Sequence, residues 1–203
     1  MKIICVGQNY LKHIAEMGAA APIEPVIFMK PDTAVLLRNR PFYIPDFSQN
    51  VQYEAELVIK ISKNGKYIQE QFAASYYEEI ALGVDFTARD LQTDFKKRGL
   101  PWTLCKGFDN SAPLSEFIPI NSLADKKKIN FSLQQNGKLK QVGCSDDMIF
   151  SFERLITYIS KFITLKMGDI IFTGTPAGVG TVKIGDRITG FIENKQLLNF
   201  LIK

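Results

Sequence analysis

Apolar and polar positions alternate most clearly from Tyr53 to Ile61, where Tyr53, Ala55, Leu57, Ile59 and Ile61 form one row and Glu54 and Glu56 fall on the opposite side. A period of two predicts a β-strand with an apolar face turned to the core. Lys2 to Val6 reads as a short buried strand broken by Gly7-Gln8-Asn9-Tyr10, with Asn9 placed to cap a short helix that ends before Gly18. Ile80 to Asp85 is apolar and strand-like. Thr87 then opens a helix through about Arg98, with Asp90 as the acid of a capping box and Gly99 and Pro101 as the stop. Met148 to about Phe162 carries Ile149, Phe152, Leu155, Ile156, Ile159, Phe162 and Ile163 at helical spacing. Asn64-Gly65 and Asn136-Gly137 sit between strand-like arms and predict hairpins. Asp169 to Thr173 is strand-like, and the tail alternates short strands with turns at Gly185-Asp186 and Glu193-Asn194-Lys195. Strands outnumber helices and cluster in hairpins. This predicts an α+β fold with a largely antiparallel or mixed sheet, rather than a doubly wound one.

Composition narrows the class. With 203 residues and 46% hydrophobic content, the chain can bury one substantial core. No linker-like or repetitive tract divides it, so one domain over residues 1–203 is expected. The net charge of +4 is mild. The only dense basic run, Lys126-Lys127-Lys128, precedes a hairpin and reads as a solvated turn, so no nucleic-acid partner is expected. Three cysteines, Cys5, Cys105 and Cys144, are too few and too scattered for a disulfide framework or a CxxC zinc site. No stretch reads as a signal peptide or approaches the ~20 apolar residues of a membrane helix. The resulting expectation is a cytoplasmic protein with no membrane partner.

The candidate chemistry centres on carboxylates. On a strand, Glu54 and Glu56 point the same way about 7 Å apart, and Asp85 lies at a strand-to-helix junction. Like charges on a half-buried face repel and resist desolvation, and a hard oxygen-ligated divalent cation removes that cost. The plainer alternative is a wet strand face. His13 and Glu16, three apart on the predicted short helix, share a face: either a carboxylate-oriented general base or a surface pair. Lys106 ends the apolar segment Leu100-Pro101-Trp102-Thr103-Leu104-Cys105, which calls for an acidic partner unless its ammonium reaches solvent from a strand edge. Gln92, on the Thr87 helix, is either an amide donor to a substrate oxygen or an exposed helix residue. The Thr173–Gly180 segment is glycine-rich and lacks a Walker lysine; it reads as an anion-binding nest or a tight turn.

Taken together, Gly7-Gln8-Asn9-Tyr10-Leu11-Lys12-His13-Ile14-Ala15-Glu16-Met17, Tyr53-Glu54-Ala55-Glu56-Leu57, Gly83-Val84-Asp85-Phe86-Thr87-Ala88-Arg89-Asp90-Leu91-Gln92, Lys97-Arg98-Gly99-Leu100-Pro101-Trp102-Thr103-Leu104-Cys105-Lys106 and Gly168-Asp169-Ile170-Ile171-Phe172-Thr173-Gly174-Thr175-Pro176 resemble the fumarylacetoacetate hydrolase family over nearly the whole chain. The resemblance is nearest to its small acylpyruvase and oxaloacetate decarboxylase type. It implies a β-rich layered α+β roll with few short helices, assembled as a homodimer. It also implies that Glu54, Glu56 and Asp85 hold Mg²⁺ or Mn²⁺, and that His13 and Glu16 activate water on a segment that closes over ligand. Lys106 and Gln92 would then contact the reacting oxygens, Thr175 would meet the substrate carboxylate, and Arg89 and Lys30 would add positive charge to the cleft. Tyr53 receives no catalytic role. The expected substrate is a small 2-oxo or 2,4-dioxo acid. The expected reaction is hydrolysis of the C–C bond of an acylpyruvate through an enolate. Decarboxylation or tautomerisation of oxaloacetate, isomerisation of 2-hydroxyhepta-2,4-diene-1,7-dioate, and a non-catalytic metal- or ligand-binding module are the alternatives.

Overall fold

A computed structural model describes residues 1–203. A six-stranded mixed sheet runs in the order Val26–Lys30, Ile3–Gly7, Ile170–Phe172, Ala55–Ile61, Tyr77–Val84, Ile118–Pro119. Only the pair Ile3–Gly7 and Ile170–Phe172 is parallel. A four-stranded antiparallel sheet is formed by Lys138–Cys144, Asn130–Gln135, Arg187–Ile192 and Lys195–Leu201. Helices are few and short, the longest being Phe152–Phe162 and Arg89–Arg98. The result is the strand-dominated α+β architecture that the pattern predicts.

Alternation places the core. Ile4, Val6, Leu57, Ile59, Ile80, Leu82 and Ile171 leave one face of the large sheet and join Phe131, Leu133, Ile188, Phe200 and the helix residues Leu155, Ile156 and Ile159 in the main cluster. Ile3, Cys5, Val58, Ala81, Ile170 and Phe172 leave the opposite face and form a smaller cluster with Ala34, Ala112 and Leu114. Both faces of the large sheet are therefore covered, which rules out the wet strand face, the plainer alternative for Glu54 and Glu56. Glu56 and Val58 emerge on the same covered side, so a carboxylate here is drawn out of water by its neighbours.

Several local expectations are corrected. Asn9 caps nothing. Its buried amide donates to the Phe150 and Thr173 carbonyls and accepts from the Phe150 N–H, tying the chain start to the far end. Asn64-Gly65 does not turn a hairpin: Ala55–Ile61 pairs with Tyr77–Val84 across a longer connection, while Gly65 bridges Leu165. The Asn136-Gly137 hairpin is present, with both residues at positive φ. The helix expected from Thr87 begins at Arg89, because Thr87-Ala88 pairs with Val51–Tyr53. Asp90 accepts from Ser48 Oγ, the Gln49 N–H and the Leu91 N–H instead of closing a capping box. Gly99 does end that helix, at φ 67°. The helix expected from Met148 begins at Phe152, capped by Ser151.

Candidate active site

Strand register builds the site. Ala55 pairs with Val84 and Glu56 with Gly83. The ladder continues through the Asp85 N–H, which donates to the Glu54 carbonyl at 2.8 Å. Glu54 and Asp85 are thereby held side by side, with Glu56 one pleat away. One oxygen of each of the three carboxylates lies within 4.8 Å of those of the others, and all three residues are buried.

Three cations answer these three charges. Lys106, on the short helix Thr103–Lys106, donates to Glu54 Oε2 at 2.8 Å and Asp85 Oδ2 at 2.6 Å. It is 3% exposed, so the strand-edge alternative is excluded. Arg89 pairs with Glu54 and also donates to Gln52 and Gln92. Lys30 Nζ stands 2.8 Å from Asp85 Oδ1 and is enclosed by Phe86 O, Ser111 O, Ser111 Oγ and Lys106 O. Lys30 does not line the cavity. The positive charge expected in the cleft at Lys30 lies beneath the carboxylates instead, because its stem enters from the edge strand Val26–Lys30, behind Asp85.

These environments set the protons. Burial pushes the Glu54 carboxyl upward, but Lys106 and Arg89 overcome it and hold the group well below the ordinary carboxylate range. Burial, with Asp85 and Glu54 beside it, raises Glu56 well above that range, against the Gly174 N–H that donates to its Oε2 at 2.7 Å. Burial works against the charge on Lys106, yet Asp85 and Glu54 keep its ammonium above its usual value.

The donor set fits a divalent metal. Asp85 Oδ1 has no aligned hydrogen bond despite the nearby Lys30, and the ligands are all hard oxygens. The three cations pair with Glu54 and Asp85, and Glu56 has no cation of its own.

The same cavity is lined by His13, Gln92, Arg89, Thr175, Phe28, Trp102 and Lys96, among others. His13 is 7% exposed, so it is not the surface residue of the plainer reading. Its Nδ1 lies 3.2 Å from Glu16 Oε2. Glu16 is in turn held by the Gly178 N–H, at 3.1 and 3.3 Å from its two oxygens. The glycine-rich turn therefore does cradle anions, but they are the protein's own: Gly174 serves Glu56 and Gly178 serves Glu16. Both glycines stand near φ 100°, and a Cβ on Gly178 would fall 2.2 Å from the Lys140 carbonyl. Gln92 is buried and accepts from Arg89, which leaves its amide N–H₂ for other acceptors. Thr175 Oγ1 donates to the Ala55 carbonyl at 2.9 Å and accepts from Gln141 at 2.8 Å, so its hydroxyl proton is already committed.

Gln141 is the residue that sequence reasoning missed. It is fully buried, accepts from the Ala55 N–H at 2.9 Å, and donates to Thr175 Oγ1 and, at 2.9 Å, to the Pro176 carbonyl. A signal existed: the two inward positions of Lys138–Cys144 are Gln141 and Gly143, with no large apolar residue at either.

The fumarylacetoacetate (FAA) hydrolase C-terminal family matches residues 2–199. The chain is 43% identical over 201 residues to bovine mitochondrial oxaloacetate tautomerase FAHD1 (Bos taurus), covering 99% of this chain and 91% of the relative. It is 44% identical over 197 residues to the Escherichia coli K12 oxaloacetate tautomerase YcgM, covering 97% and 90%. The crystal structure of fumarylpyruvate hydrolase from Pseudomonas aeruginosa in complex with Mn²⁺ and pyruvate superposes with a TM-score of 0.94 at 36% identity, covering 100% of this chain and 89% of that one.

Proposed function

The chain belongs to the fumarylacetoacetate hydrolase family, and from that premise we propose that it is a divalent-metal enzyme of small 2-oxo acids whose leading reaction is keto–enol tautomerisation of oxaloacetate. The observation that carries this reading is the buried Glu54–Glu56–Asp85 cluster with Lys106 locked against it in a cavity. In this reading those three carboxylates hold Mg²⁺ or Mn²⁺. The bound ion supplies Lewis-acid polarisation of the 2-oxo group and anchorage for the adjoining carboxylate.

The protein's own groups do the rest. Lys106 Nζ, fixed between Glu54 and Asp85, sets positive charge beside the oxygen on which negative charge develops. The Gln92 amide donates to the same region. Glu16 accepts the proton on His13 Nδ1, which leaves the Nε2 lone pair to take a proton from C3 and return one. Tautomerisation moves that proton between C3 and the 2-oxygen and breaks no C–C bond. Phe28, Trp102 and Ile14 narrow the cavity and limit water.

A second reading, C–C hydrolysis of an acylpyruvate, is favoured by one observation: His13 lines the same cavity with Glu16 held against its Nδ1, so it can deprotonate a water for attack at C4. A single catalytic domain acting as a homodimer is part of the proposal.

The test follows the enol absorbance of oxaloacetate and the loss of acetylpyruvate, with Mg²⁺ or Mn²⁺ and with EDTA. Metal-dependent acceleration of the first supports tautomerisation, and cleavage of the second supports hydrolysis. Rates untouched by EDTA would refute both. His13→Ala is expected to abolish proton transfer and leave metal affinity nearly intact; equal loss of both would remove His13 from that role.

A further inference from the structure

One cation of the cavity has no partner. Lys106, Arg89 and Lys30 are each held by a carboxylate. The Lys96 ammonium makes no ion pair or hydrogen bond and stands 5.2 Å from the centre of the Trp102 ring, which also lines the cavity. Its position follows from helix geometry. Arg89, Gln92 and Lys96 are spaced i, i+3, i+7 on the helix Arg89–Arg98, so they form one stripe, and all three line the cavity. Seven residues carry that stripe about 10 Å along the axis, from Arg89 against Glu54 to Lys96 over Trp102.

Charge balance points the same way. The three buried carboxylates are matched by Lys106, Arg89 and Lys30, so a bound divalent ion leaves two positive charges over before Lys96 is considered. A monoanionic 2-oxo acid offsets one of them; a dianionic one offsets both and has a second charge to place. Among the lining residues away from the carboxylates, Phe28, Trp102, Met17 and Ile14 are apolar and cannot accept that charge. Lys96 can, while its stem lies on the Trp102 ring.

We propose that Lys96 is the specificity-determining cation of this site: it receives the far carboxylate of 2-oxo dicarboxylic acids and sets their preference over 2-oxo monocarboxylic acids. The inference rests on the reading of the site as a metal-dependent 2-oxo acid centre. It does not depend on which reaction follows.

The test uses two unreactive probes, pyruvate and 2-oxoglutarate, titrated calorimetrically into Mn²⁺-loaded protein at low salt. Wild type is expected to bind 2-oxoglutarate about five- to tenfold more tightly than pyruvate. K96M should bring the ratio close to one by weakening only 2-oxoglutarate, K96R should keep most of the preference, and added salt should erode it. Position 96 is an exposed helix site and both replacements are good helix formers, so folding is not at issue. Binding of both probes with no preference, or with a preference that survives K96M, overturns the role of Lys96 and leaves the metal-centre reading standing. Binding of neither probe, together with no metal-dependent tautomerisation, overturns that reading and this inference with it.

Discussion

Gln141→Leu removes the one side chain that ties the hairpin strand Lys138–Cys144 to both the backbone between Glu54 and Glu56 and the turn after Phe172. Three hydrogen bonds are lost, of 2.9, 2.8 and 2.9 Å, and the Ala55 N–H and Pro176 carbonyl lose these partners in a fully buried setting. Each bond contributes about 1 kcal/mol net, and each stranded group costs about 1–3 kcal/mol, partly offset by the apolar leucine. A loss of about 3 kcal/mol is expected. For a chain of this size that lowers Tm by about 6–12 °C. Because Ala55 is the link between two of the carboxylates, Mn²⁺ affinity should fall too. Urea unfolding with and without Mn²⁺ reads both effects, the metal-induced shift in midpoint giving the affinity. A loss below about 1 kcal/mol would refute the claim that Gln141 braces the site. A full loss of stability with unchanged metal affinity would refute the coupling to the carboxylates.

Two further outcomes follow from the charge environments. Burial, Asp85 and Glu54 raise Glu56 above the ordinary carboxylate value, so protons and a cation compete for it. Metal affinity should climb with pH above the ordinary carboxylate range, with a proton released that calorimetry in buffers of different ionisation enthalpy detects; a profile flat above that range would contradict it. At Asp169, burial acts to raise the carboxyl, but the Lys2 and Lys166 N–H groups and the Lys2 ammonium depress it below its unfolded value. Its stabilisation is therefore present above about pH 4 and is lost as pH falls through the depressed value. Asp169→Asn should cost about 1.5–3 kcal/mol at pH 7 and progressively less below pH 4, as urea melts across pH would show; a pH-independent difference would count against the charge argument.

What could be read from the chain was what short-range periodicity and register control. Glu54 and Glu56 share a face because strands alternate, and Asp85 meets them because Ala55–Ile61 and Tyr77–Val84 are neighbours in the ladder. Asn136-Gly137 and Gly99 announced themselves through the positive φ they adopt. What failed was decided by distant partners. Asn9 has the right type for a cap, but the backbone near residues 150 and 173 claims its amide first. Asp90 has capping-box spacing, but Thr87 is paired in a strand, and the Asp90 carboxylate takes Ser48 and Gln49 as partners. Lys30 looked like a cleft cation because nothing local shows that the chain passes behind Asp85. Gln141 escaped notice because a glutamine on a hairpin strand is ordinarily solvated, and only the packing of the two sheets makes it a brace.

The parallel pairing of Ile3–Gly7 with Ile170–Phe172 also bears on synthesis. Lys2 and Asp169, which join at its edge, lie 167 residues apart, and the Gly174 N–H that steadies Glu56 follows the same late strand. A nascent chain emerging from the ribosome therefore exposes its acidic residues long before the stretch that fixes them is made. With so much closure deferred, folding of this chain should be slow and post-translational, and ions in the cell can select the finished protein but cannot seed it.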